Sequence, residues 1–138
     1  MGLKGFFKAD REEYHLSEPI LVTLVIKNET DHEIYLFVPR GRADGIRITV
    51  KEGKNFQIKG MREEPEVGLV PEERLLSGEI YRQQYQLTRW LTLKEPGYYR
   101  VECGIEIESY NVSISQKNLD RVATKVAIST DIHFNILP

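Results

Sequence analysis

The chain has 138 residues, 41% of them hydrophobic and 29% charged, a composition that supports a packed core and excludes the disordered and fibrous classes. Its net charge of −2 comes from Lys, Arg, Asp and Glu interspersed along the chain, so no basic tract marks it for nucleic acid. The longest apolar run, Ile20 to Ile26 with Thr23 inside it, falls far short of the roughly 20 residues that span a bilayer as a helix.

Alternation with period two, the side-chain repeat of a strand with one buried face, recurs along most of the sequence. Ile20, Val22, Leu24 and Ile26 share one face of a first strand; Leu21, Thr23, Val25 and Lys27 share the other, which predicts a central strand partly covered on both sides. A polar turn from Asn28 to Glu33 leads to Ile34, Leu36 and Val38, and the two strands are expected to pair as a hairpin. Pro39 to Gly45 is rich in turn residues and precedes the alternating Ile46, Ile48 and Val50; Glu52-Gly-Lys54 then turns into a short strand around Phe56 to Lys59. Gly60 to Gly78 has no sustained period and reads as a long surface connection, with a helical turn at Pro71 to Leu76.

Ile80 to Leu87 alternates again, with Tyr81, Gln83, Tyr85 and Leu87 on one face. Thr88 to Leu91 is expected to cross between sheets, with Trp90 plugging the end of the core. From Gly97, residues Tyr99, Val101, Cys103, Ile105 and Ile107 face inward while Arg100, Glu102, Glu106 and Glu108 face out. Every even position from Val122 to Ile136 is apolar or Thr, which predicts a long C-terminal β-ribbon paired with residues 97 to 115 and tipped by Gln116 to Asp120. A one-residue bulge near Ser109 would turn Tyr110, Val112 and Ile114 inward. Together these elements predict a single all-β domain over residues 1–138, a two-layer antiparallel sandwich of about seven to eight strands, with a closed barrel as the alternative.

The punctuation between strands is specific enough to compare. Tyr14-x-x-Ser-Glu-Pro-Ile leads into a strand ending in Asn28, Ser77-Gly-Glu79 precedes a tyrosine-bearing strand, and Leu87-Thr-x-Trp-Leu91 follows it. Glu95-Pro-Gly-Tyr-Tyr-Arg-Val101 then opens the next strand. This pattern, over residues 5 to 107, resembles the immunoglobulin-like sandwich modules of bacterial envelope and secreted proteins, including the BsuPI-type proteinase-inhibitor family and macroglobulin-like domains. The resemblance implies an immunoglobulin-like sandwich with a tyrosine corner at Tyr99, whose phenol bonds to backbone in the preceding connection. An antibody-type domain is disfavoured: Val101 stands where that domain has its cysteine, and Cys103 has no partner in the sequence.

Little in the sequence points to chemistry. Cys103 is in phase with the core, where cysteine is a small hydrophobe and not a nucleophile. His15, His32 and His133 are far apart and lack metal-ligand spacing, and no phosphate-binding, dinucleotide or nucleophile-elbow motif occurs. No cofactor or metal is expected, and the reading is non-enzymatic. The sequons at Asn28 and Asn111 are short enough to arise by chance.

The expected function is therefore a β-sandwich binding or accessory module engaging a protein partner, in an extracellular or cell-envelope setting in preference to a cytoplasmic one. The alternatives are a proteinase inhibitor of BsuPI-like type, facing the protease through Glu66 to Val70, and a carbohydrate-binding accessory domain. Candidate contact residues are Arg40 and Arg42, which can fork onto carboxylates; Leu69 and Val70; and the tyrosines Tyr98 and Tyr110. A homodimer through exposed edges of the C-terminal ribbon is a further expectation.

Overall fold

The computed structural model describes residues 2–39, 45–58, 72–113 and 122–138. Within them the chain forms β1 (Leu3–Ala9), β2 (Glu13–His15), β3 (Leu21–Asn28), β4 (Ile34–Phe37), β5 (Arg47–Glu52), β6 (Phe56–Ile58), β7 (Glu73–Leu75), β8 (Ile80–Gln86), a 3-10 turn at Leu87–Arg89, β9 (Leu91–Leu93), β10 (Gly97–Tyr110) and β11 (Ala123–Leu137). A smaller sheet has the order β1-β3-β8. A larger one runs β2-β11-β10-β4-β7, with β5 also paired to β10, and β6 pairs with β9. The two main sheets face each other across one core. Phe7, Val22, Leu24, Ile26 and Tyr85 fill it from the smaller sheet, and Tyr99, Val101, Cys103, Ile105, Ile107, Ile128, Ile132 and Phe134 from the larger. Trp90 is 4% exposed and seals the end of this core, as expected of the turn from Thr88 to Leu91. The expected all-β sandwich is what the chain forms.

The long ribbon is present. β10 and β11 pair antiparallel without interruption from Gly97↔Ile136 to Tyr110↔Ala123. That continuous register corrects the bulge expected at Ser109. The inward phase of β10 runs on through Ser109, 8% exposed, because a small hydroxyl that donates to the Thr124 carbonyl at 3.4 Å can occupy an inward position. Nor is the far end of β10 a free arm, since β4 pairs with Glu108 to Tyr110 on its other side. The expected ribbon tip lies outside the described residues.

Three other expectations are corrected. β3 and β4 do not form a hairpin but belong to different sheets. Asn28 makes the crossing. Fully buried, it donates to the His32 carbonyl at 2.9 Å and the Leu75 carbonyl at 3.0 Å, and it accepts the Thr30 N–H at 2.9 Å. This Asx turn redirects the chain instead of folding it back, and burial leaves the Asn28 sequon unusable in the folded state. The helical turn expected within Pro71 to Leu76 is instead the strand β7, where pairing to β4 overrides local propensity. Finally, β2 pairs with β11 in parallel, so the large sheet is mixed.

The quoted punctuation is built into the connections. Tyr99 forms the expected corner: its hydroxyl donates to the Glu95 carbonyl at 2.6 Å and lies 2.7 Å from that of Lys54. Glu18 accepts the Arg11 guanidinium at 2.6 Å and the His15 N–H at 2.8 Å, which closes the turn into β3 and holds its carboxyl below the usual range, chiefly through Arg11. Glu79 accepts the Leu76 N–H at 2.6 Å across Gly78, whose φ is +82°. These residues shape turns.

Candidate functional site

Of the residues chosen from sequence, Arg40, Arg42, Leu69 and Val70 lie outside the described residues, as does the whole suggested protease-facing stretch, Glu66 to Val70. Tyr98 and Tyr110 both occupy the outer face of β10. Twelve residues of strand separate them, roughly 40 Å at about 3.3 Å per residue, so they cannot serve one ligand as a shared platform. Tyr98 is 45% exposed and leans on His133, with ring centroids 6.3 Å apart. Tyr110 is half-buried, edge-on to Phe37 at 5.5 Å, with its hydroxyl bonded to Glu108.

Nothing described in the structure assembles a reactive centre. Cys103 is buried, and desolvation pushes its thiol up to about 12, which keeps it a neutral packing group at any ordinary pH. No group of three metal-ligating side chains comes together among the described residues. His32 pairs with Asp31 at 3.0 Å on the surface.

The two outer faces differ in charge. On the larger sheet, cations and anions alternate and neutralise each other. Arg100 lies between Glu52 at 3.2 Å and Asp131 at 3.3 Å; Lys51 reaches Glu102 at 3.6 Å and Lys125 reaches Glu106 at 3.8 Å. The smaller sheet is different. Its outward positions are Lys4, Phe6 and Lys8 on β1, Leu21, Thr23, Val25 and Lys27 on β3, and Ile80, Arg82, Gln84 and Gln86 on β8. Register places Phe6, Val25 and Arg82 in one row and Lys4, Lys27 and Ile80 in the next. Phe6 is 48% exposed and Ile80 44%. Lys4 reaches Glu29 at 3.3 Å, whereas Lys8, Lys27 and Arg82 make no ion pair among the described residues. At the far end Asp10 is already engaged, accepting from Thr23 Oγ1 and Gln84 Nε2, both at 2.7 Å. The result is an apolar ridge, Phe6 to Val25, set among cations on a chain of net charge −2.

Sequence reasoning missed this face because β1 was not recognised. A signal existed: in Lys4-Gly-Phe-Phe-Lys8 two adjacent phenylalanines on a strand must point to opposite faces, so one of them lies outside the core. Phe7 is the buried one, at 2%.

No family model matches the chain, and no curated protein does. Among solved structures it is similar to a β-glucosidase from Erythrobacter marinus, with 17% identity and a TM-score of 0.37, over 92% of this chain and 15% of that one. A β-glucosidase from Listeria innocua gives 17% identity and a TM-score of 0.36, over 98% of this chain and 17% of that one. The chain thus spans less than a fifth of either.

Proposed function

We propose that the chain is a non-enzymatic β-sandwich module that binds a protein through the outer face of the smaller sheet. The observation that carries this reading is the ridge of Phe6 and Val25 beside Ile80, ringed by Lys4, Lys8, Lys27 and Arg82. Exposed aromatic and apolar groups supply contact area, and flanking cations steer and select an anionic partner. The larger sheet offers no such field, because its charges are paired with one another.

Titrating the labelled domain with poly-L-glutamate at low salt and following its backbone amides by NMR tests the reading. Shifts should cluster on β1, β3 and β8 and shrink in Phe6→Asp and in Arg82→Glu. Shifts absent, or centred on β10 and β11, would refute it. Stoichiometric inhibition of a protease, lost when Leu69 and Val70 are both replaced by Asp, would put the inhibitor reading in its place.

A further inference from the structure

Resting on that reading, we infer that β8 takes up an extended acidic segment of the partner as a fourth strand of the smaller sheet. The hydrogen bonds at the two ends of the β3–β8 ladder fix which way each residue of β8 turns. Asn28 N–H donates to the Glu79 carbonyl at 3.0 Å and Leu87 N–H to the Ile20 carbonyl at 2.8 Å, so odd-numbered residues of β8 bond to β3. In an antiparallel pair the intervening residues then aim N–H and C=O away from the neighbour. Those residues are Ile80, Arg82, Gln84 and Gln86, and no described strand pairs with them.

The opposite edge of the sheet is closed. Phe7 N–H, which points away from β3, donates to Thr130 Oγ1 at 2.9 Å, and Gly5 brings β1 against Ile128, whose Cδ1 would stand 2.4 Å from an added Cβ. Among the described residues, the edge left for the sheet to grow is β8. The residues with outward backbone groups are also those whose side chains lie on the cationic face. A strand added there would set every second side chain beside Arg82, with Lys27 one strand further in behind Ile80, which favours carboxylates at alternate positions, while its backbone supplies affinity. A second copy of this chain is a poorer occupant, because it would bring one set of cations beside another.

The probe is a fluorescent acetylated peptide of four Glu-Val repeats, followed by anisotropy against the whole domain. Saturable binding is expected, weakened about tenfold or more by the Lys27→Glu, Arg82→Glu double variant. Gln84→Pro removes an outward N–H, as edge strands tolerate, together with the side-chain bond to Asp10; it should weaken binding similarly with an unchanged circular dichroism spectrum, while Gln84→Ala, which loses the side-chain bond alone, binds as the parent does. A peptide N-methylated at every second residue tests the same bond without altering the protein, and it should fail to bind. If the charge variant loses binding while Gln84→Pro and the methylated peptide bind fully, strand addition is overturned and the face reading stands. If the parent domain does not bind the peptide at all, both fall.

Discussion

Single side chains hold the connections of this fold. Asn28 satisfies two carbonyls and one N–H inside the protein; the His32 carbonyl keeps the Thr30 hydroxyl at 2.8 Å, so Asn28→Ala deprives the Leu75 carbonyl and the Thr30 N–H of their side-chain partner. It should cost about 3 kcal/mol in urea denaturation. Tyr99→Phe keeps the ring against Phe134, 6.0 Å away and stacked, but deletes the phenol's bond to the Glu95 carbonyl, for a loss of about 1 kcal/mol. Cys103 gives a pH dependence. Its thiol ionises near the usual 9.0 when unfolded and near 12 when folded, so its contribution is complete below pH 9 and declines as pH rises toward 12. Denaturation midpoints should show the parent losing about 1 kcal/mol more than Cys103→Ala between pH 7 and pH 10. An equal loss in both would contradict the buried assignment.

At the scale of elements, two glycines mark where strands approach most closely, and they should respond differently to substitution. At Gly53, φ is +143° and an added Cβ would stand 2.3 Å from Tyr99 Cδ1, on a ring anchored by stacking and by its own hydrogen bond. At Gly5 the obstacle is the tip of Ile128, which can change rotamer. Gly53→Ala is therefore expected to cost about 3 kcal/mol and Gly5→Ala about 1 kcal/mol; thermal melts that reverse this order would contradict the packing described. Elements long enough to show several repeats, β3, β8, β10 and β11, were legible because burial on one face imposes period two. Of the three-residue strands, β6 was marked by the turn before it, but β2, β7 and β9 were not legible, since three residues do not establish a period. Strand pairing was equally hidden: the alternation of Ile34 and Leu36 is the same whether β4 lies beside β3 or beside β10. The cationic face was hidden for a related reason. Exposure of Tyr98 could be read from phase, but the cationic face gathers residues 4 to 8, 21 to 27 and 80 to 86 from three strands, and no local window contains it.

For the whole molecule, the parallel pair of β2 with β11 sets the order of assembly. Asn135, Ile136 and Leu137 lie against Glu13, Tyr14 and His15, and Tyr14 meets Phe134 edge-on at 5.8 Å. The first part of the chain thus waits for the last. During synthesis, β1, β3 and β8 can pair soon after they emerge, but Tyr14 stays unpacked until β11 has left the ribosome. Contacts this distant in sequence slow folding, because the loop must close before the contact forms. Ending the chain at Asp131 should leave a species that exposes its core, read as strong binding of a hydrophobic dye. In a cell, the interval between translating Tyr14 and translating Leu137 is the period in which this protein most depends on chaperones.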